Sequence, residues 1–328
     1  MKITVIGAIV YDEIITLDGA RRESFGGITY NLAALSSIVD DGVELHPLTN
    51  VAEDRWEGVM ELLARYPLVR ADAVARVPGK LTATRLVYTS PTWREETVLH
   101  MMQPLTPQRV TAAFDADAVL VNFVNGTEMD LDAFVALREG ARGYLHVDIH
   151  SKVAHWDEHG RKSHAPFADW REWVRRVDAA QMNEFECEQL MGRKLSTQDD
   201  YVQAGAEIVA AGAPIALITL GPQGSVLVYR REDGIYWVAT PALRVDRVVD
   251  ATGCGDSFSA GFTWNYLQSR DPVQASAAAN IVAGINCTIA GIGQLEAARD
   301  ALAQIPTAFP DLHAKIISGW RGERVEGF

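Results

Sequence analysis

Strands and helices take turns along this chain, and that alternation limits the folds open to it. TVIG (4–7) precedes NLAALSSIV (31–39), AVLVNFV (118–124) precedes LDAFVALREG (131–140), and YLHVDI (144–149) precedes WREWVRRV (170–177). IALITL (215–220) follows, and Ser257 to Ile289 reads as two apolar-rich helices. The strand runs are apolar throughout instead of alternating with polar residues. Strands buried on both faces have that pattern, and a parallel sheet with helices on each side needs such strands. The expectation is a doubly wound α/β fold with a mostly parallel sheet flanked by helices. Trp170 and Trp173, three apart, fit helix packing into its core.

Two segments interrupt the alternation. Glu13 to Phe25 and Arg76 to Met102 are rich in Thr, Val and Arg, carry turn signals and lack a helical period, so they read as β-hairpins. They are expected to form a small β-sheet projecting as a lid from residues 13–25 and 76–102. Residues 1–12, 26–75 and 103–328 then make the main domain. A lid sheet with one open face needs covering, and a twofold copy is the simplest cover, so a homodimer is expected.

The chain has 328 residues and a net charge of −13, and it shows no basic cluster, which argues against a nucleic-acid partner. Its opening, MKITVIGAIVYDE, runs from one lysine into a short apolar strand broken by Asp12 and Glu13. That is not signal-peptide anatomy, and no apolar run reaches the ~18 residues that cross a bilayer. Cys187, Cys254 and Cys287 form no C-x-x-C pair and fit free thiols in a cytoplasmic protein.

VVDATGCGDSFSAGF (248–262) poses the chemical question. Gly253, Cys254 and Gly255 come directly before a helical run, where unsatisfied N–H groups and the helix dipole favour an anion and glycines let it approach. Asp256 follows at once. A carboxylate beside an anion hole repels the anion, so its placement makes sense if it faces a hydroxyl that attacks a bound phosphate; the alternative is a first-turn acid. TLGPQG (219–224) sits at a strand's C-terminal end, where ligands bind in open α/β sheets, or is a plain β-turn. Asn183 and Glu186 offer oxygen ligands for Mg²⁺ or its waters, or a helix cap. FGGITYN (25–31) sets paired glycines before a helix. HWDEH (155–159) has two histidines four apart, a Zn²⁺ spacing, but Gly160 cuts any helix short and a solvated loop is expected.

The order of these pieces resembles the ribokinase-like, or PfkB, carbohydrate and nucleoside kinases over roughly Ile3 to Gly293. DATGCGDSF (250–258) is similar to the family's D-T-x-G-A-G-D-x-F signature, with Cys254 in place of Ala. The resemblance implies ATP-dependent transfer of the γ-phosphate to a hydroxyl of a sugar or sugar-like acceptor. Asp256 is then the base and the Gly253, Cys254 and Gly255 N–H groups are the anion hole. Near the helix dipole, Asp256 is expected to stay ionised and weakly basic. VIGAIVYD (5–12) and GGITYN (26–31) resemble substrate-pocket elements, which implies that Asp12, Gly26, Gly27 and Asn31 contact the acceptor. Thr219, Gly221 and Gly224 match the nucleotide stretch, and Asn280 is assigned to the same side. Asn183 and Glu186 match the N-x-x-E motif linked to Mg²⁺, and Asp250 and Thr252 mark a K⁺ site by resemblance only.

DIHSK (148–152) stands where many sugar-kinase relatives have D-x-N-x-R, and the lid stretch VLHMMQPLTP (98–107) points to a more apolar wall. A nucleoside acceptor therefore stays open, as does a non-catalytic sugar or nucleotide sensor. A Rossmann dehydrogenase is disfavoured because VIGAIVYD is not G-x-G-x-x-G.

Overall fold

A computed structural model describes residues 1–90, 94–164, 167–293 and 295–328. Its centre is a nine-stranded sheet. Six strands are parallel, in the order Glu44–Leu48, Lys2–Ile6, Ala118–Asn122, Tyr144–Asp148, Ala179–Asn183 and Ile215–Thr219. Ser225–Arg231, Gly234–Thr240 and Glu323–Arg324 extend it antiparallel.

Successive residues of a strand point to opposite faces, and each face has its own core. Val5, Leu120 and Leu217 pack with Leu32, Leu35, Phe258, Phe262 and Ile281 from helices Thr29–Ile38, Cys254–Ser269 and Pro272–Asn286. Ile6, Val121 and Ile218 pack on the other side with Phe134, Leu137 and Ile208 from helices Leu131–Gly140 and Gln198–Ala211. Trp170 and Trp173 are both buried in this second core. The protein is thus an α/β fold, with a mostly parallel sheet flanked by helices. No helix among the described residues is long and apolar enough to cross a membrane.

A separate four-stranded sheet runs Arg21–Gly27, Ile9–Ile15, Ala83–Tyr88, Arg94–His100. Its central pair is parallel and its outer pairs antiparallel. The expected boundaries shift in consequence. The opening strand ends at Ile6, the chain turns at Gly7 and Ala8, and a second strand begins at Ile9, so Asp12, Gly26 and Gly27 lie on the small sheet and not on the main domain. Ala75–Val77 leaves the small sheet and pairs with Asn50–Ala52. Residues 91–93 of the expected lid lie outside the described residues.

Both edges of the small sheet are protected. The outer strand Arg21–Gly27 exposes Arg21, Arg22 and Glu23, and such charges blunt an edge against further pairing. On the other side HWDEH is not a free loop: Ala154–Trp156 and Lys162–His164 form a hairpin around it. Val98 N donates to Gly160 O at 2.8 Å, and Thr97 bridges Arg161. The distal part of one face carries the Glu13–Arg85 ion pair at 2.8 Å.

Candidate functional site

Four neighbouring parallel strands end in polar residues: Asn122, Asp148, Asn183 and Thr219. Asp148 pairs with Asn122 in register, and Asn183 with Thr219. A ligand-facing polar row at the C-terminal edge of the sheet is where an open α/β fold binds its ligands.

Facing this row is the glycine turn. Gly253 precedes the helix Cys254–Ser269 with φ 78°, a left-handed conformation that disfavours any side chain. A Cβ there would also collide with the Tyr30 ring. Thr252 N is used by Asp250 Oδ1 at 2.9 Å and Cys254 N by Ala251 O at 3.3 Å. The next two helical N–H groups, of Gly255 and Asp256, have no acceptor among the described residues. They keep the capacity to bind an anion.

The Asp256 carboxylate accepts from Asn122 Nδ2 at 2.6 Å. Asn31 is fully buried and braces the same helix: its Nδ2 donates to Asp256 O and Ser259 Oγ, both at 3.0 Å, and its Oδ1 accepts from Asn122 at 3.0 Å. The geometry makes Asn31 a brace under Asp256, with every one of these bonds directed into the protein. From the sheet side, Gln181 donates to Asp148 Oδ2 at 2.8 Å and to Gly255 O at 3.0 Å. Gln181 and Asn122 thus tie the first turn of the helix to two adjoining strands.

Three carboxyls gather here, and all are raised above their ordinary range. Burial pushes Asp256 up to about 6, opposed by the Asn122 hydrogen bond. Burial likewise lifts Glu186 to about 7, with Asp256 adding repulsion and Lys162 working against it. Asp148 is raised well above the carboxylate range by burial, then by Glu186 and Asp256. The dipole argument, which kept Asp256 weakly basic, loses to desolvation: a carboxylate drawn out of water binds its proton more tightly. Holding Asp256 ionised near neutral pH costs on the order of 3 kcal/mol.

On the side of the small sheet, the Asp12 carboxylate lies against Gly26, where a Cβ would collide with it. Tyr30 lies between this pair and the glycine turn, within 3.8 Å of where a Cβ on Gly26 would stand and against Gly253. Gly27 follows with φ 66° and leads through Ile28 into the helix Thr29–Ile38. Beside them is a small cleft between the end of the first strand (Gly7, Ala8), the small sheet (Ile9, Thr82), Met102 and a polar wall that includes Asn125 and Glu128. Glu128 is buried, one oxygen accepting from Asn125 N at 2.6 Å and the other unpartnered, and burial lifts it to about 7.

The residues expected to bind nucleotide and metal lie at the far end of the row. Thr219 ends its strand, Gly221–Gln223 forms a 3-10 turn, and Gly224 has φ 95°. Asn280 comes to this turn from its helix but spends its Nδ2 inside the fold, donating to Ser225 Oγ at 2.8 Å and Ser276 O at 2.9 Å. Asn183 and Glu186 form a capping box, in which Glu186 N donates to Asn183 Oδ1 and Asn183 N to Glu186, both at 2.8 Å. Such a cap stabilises the helix by ~1 kcal/mol and leaves each oxygen a free lone pair. Asp250 accepts from Thr252 N and, at 3.2 Å, from Gly291 N, while Asn286 donates to Thr252 O at 3.0 Å.

Asn122, Gln181, Tyr30 and Asp148 were not among the expected site residues. Three of them had a readable signal, since Asn122 and Asp148 close apolar runs and Gln181 interrupts one at the strand end AAQMN. Tyr30 had none. In DIHSK only Asp148 joins the site; Lys152 turns into the loop, donating to Gly126 O at 3.0 Å and lying 4.1 Å over the Trp173 ring.

Known proteins share parts of this sequence and nearly all of this fold. The profile of the pfkB family carbohydrate kinases matches residues 156–297. Ribokinase of Arabidopsis thaliana is 33% identical over 94 residues, 29% of this chain and 24% of that one. The curated relatives are matched over only a quarter to a third of their length, from 24% to 33%. A pyrophosphate-dependent kinase in the ribokinase family superposes with a TM-score of 0.72 at 20% identity, over 90% of this chain and 99% of that one. Arabidopsis thaliana ribokinase, complexed with ribose and ATP, gives 0.72 at 17% identity, over 92% and 98%. At these identities the likeness is one of fold.

Proposed function

We propose that this chain, a member of the ribokinase-like PfkB family, transfers the γ-phosphate of ATP to a hydroxyl of a sugar or sugar-like acceptor. The observation that carries the reading is Asp256: a carboxyl raised to about 6, hydrogen-bonded to Asn122 and adjoining N–H groups that lack an acceptor. A group with that pKa is mostly deprotonated at neutral pH and is a stronger base than an exposed aspartate.

The acceptor lies between Asp12, Tyr30 and Asp256, with the cleft beside Glu128 taking its far end. Asp12 accepts hydrogen bonds from its hydroxyls, and Gly26 leaves room for that carboxylate. Asp256 takes the proton of the attacking hydroxyl. The Gly255 and Asp256 N–H groups, with the turn at Gly253 and Cys254, stabilise charge on the moving phosphoryl group, which needs more help than the proton does when the transition state is loose. Asn122, Asn31 and Gln181 hold the base and the helix start in register. Thr219, Gly221 and Gly224 border the nucleotide, with Asn280 fixing the strand that follows.

Mg²⁺ suits this site. Three crowded carboxyls and the unpartnered buried oxygens of Gln181 and Asn122 favour a cation. No group of three acidic, His or Cys side chains among the described residues is close enough to chelate a metal alone. Asn183 and Glu186 would hold Mg²⁺ through water, with phosphate oxygens as further ligands, and it would neutralise phosphate charge. Asp250 and Thr252 have their oxygens engaged in turn contacts, and K⁺ there rests on family resemblance.

The test is product formation from ATP, Mg²⁺ and a panel of sugars, polyols and nucleosides. Pyrophosphate belongs among the donors because a kinase of the same fold uses it. Acceptor-dependent ADP release is expected with a sugar. Turnover only with a nucleoside would replace the acceptor, and tight sugar binding without turnover would replace the enzyme with a sensor.

A further inference from the structure

The glycine turn holds a second chemistry. Cys254 begins the helix Cys254–Ser269, and Cys287 directly follows the helix Pro272–Asn286. Their Sγ atoms lie 2.6 Å apart. A disulfide bond is ~2.0 Å, so roughly half an ångström of approach separates these thiols from a bond. Both residues keep partial solvent contact, which gives a small oxidant access. The backbone already holds them together: Val249 N and Asp250 N donate to Cys287 O at 2.7 and 3.2 Å, and Asn286 Nδ2 reaches Thr252 O at 3.0 Å and Cys254 Sγ at 3.4 Å. Cys187, by contrast, is fully buried, its thiol pushed up to about 12.

We propose that Cys254 and Cys287 are a reversible oxidation site, at which a peroxide links the two thiols and clamps the first residue of the helix that carries Asp256. Either thiol can attack first, with the balance unchanged; here the first is Cys287. Its sulfur attacks one peroxide oxygen, the O–O bond breaks, and the departing hydroxide takes the thiol proton as water. Cys254 sulfur then attacks the resulting sulfenic acid; the S–S bond forms, the S–O bond breaks, and the Cys254 proton leaves with the hydroxyl as a second water. One peroxide is reduced and two thiols are oxidised, and a dithiol reverses the link.

The consequence for turnover rests on the kinase reading. Drawing Cys254 toward Cys287 displaces the N–H groups that face the phosphate, and a shift of this size in a positioning group costs about 10-fold or more.

The full chain is treated with hydrogen peroxide and followed by intact mass, peptide mapping and acceptor-dependent turnover. The expected result is the loss of two hydrogens, a peptide linking Cys254 to Cys287, slower turnover, and recovery of both with dithiothreitol. Cys287→Ser keeps the turnover of the reduced protein and resists the treatment. Two thiols that still alkylate after peroxide, sulfinic acid without a link, or a link to Cys187 overturns the site. A link with unchanged turnover overturns its effect on phosphoryl transfer. If neither redox state turns over any acceptor, the kinase reading fails, while the linked peptide still decides the thiol pair.

Discussion

The two sheets of this protein hold their residues by different means. Strands of the large sheet are sealed on both faces, as in AVLVN (118–122), where every residue is buried. Strands of the small sheet run from a buried root to an open end: Ile9, Val10 and Tyr11 are buried, whereas Asp12 to Ile15 are only half-buried. Burial on two faces fixes backbone geometry within tight packing limits, and a one-faced sheet is fixed mainly by its ladder and edges. The division of labour follows. Under the proposed function, residues that meet a reacting atom extend from the large sheet or pack directly on it, and the small sheet would supply Asp12 to grip the acceptor.

The largest effect expected from this contrast is at Asp256. Asp256→Asn removes the proton acceptor while keeping its shape, so kcat should fall by ~10² to 10⁴. The fold should gain, because a buried charge is gone. The sign follows from linkage: with a folded pKa of about 6, above that of an unfolded aspartate, the stabilising contribution is full below pH ~4 and is lost as pH rises through about 6. Melting curves from pH 4 to 8 should therefore show the variant overtaking the parent as pH rises. Only the difference between the two is diagnostic, because His146, depressed to about 3 by burial, acts with the opposite sign. Near-normal turnover in Asp256→Asn with a confirmed acceptor would end the role given to it.

Next is packing itself. Leu120→Ala in the large sheet should cost ~2 to 5 kcal/mol in denaturant unfolding, the usual range for a cavity that cannot collapse. Leu86→Ala in the small sheet should cost less, about 1 to 2 kcal/mol, because its surroundings can relax. Equal losses would show that the small sheet is as tightly determined as the large one.

Asp12→Ala comes third. Losing hydrogen bonds to a charged group should raise the acceptor KM by roughly 10- to 100-fold and leave the KM for ATP unchanged. Steady-state kinetics with both substrates varied makes the distinction, and an equal rise in both would make Asp12 structural. The smallest effect is expected at Arg85→Ala. Its pair with Glu13 is exposed, so stability should drop by no more than ~1 kcal/mol, with kinetics untouched.

The sequence announced the large sheet because two-faced burial writes itself as unbroken apolar runs. It announced the glycine turn because Gly253 has φ 78° and faces the Tyr30 ring, so no other residue fits easily. The break after Ile6 was not legible: GAIVYD continues the apolar run, and only three-dimensional pairing with Arg21–Gly27 shows that a second sheet has begun. Nor was the environment of Asp256. Local reasoning saw the dipole of its own helix, whereas burial, opposed by a hydrogen bond from Asn122 far away in sequence, sets the balance. The expected substrate contact at Asn31 failed to foresee its bonds to Asn122 and Ser259 for the same reason.

The hairpin 154–164 gives the two sheets a mechanical connection. One end of it accepts the Val98 hydrogen bond at 2.8 Å through Gly160, and Lys162 on its return strand pairs with Glu96 at 3.2 Å while its charge holds down the pKa of Glu186. A swing of the outer strand Arg94–His100 must either break those bonds or drag Lys162 with it. Any displacement of that strand would thus carry with it a charge that acts on Glu186, so the rim of the small sheet and the carboxyl cluster share one lysine.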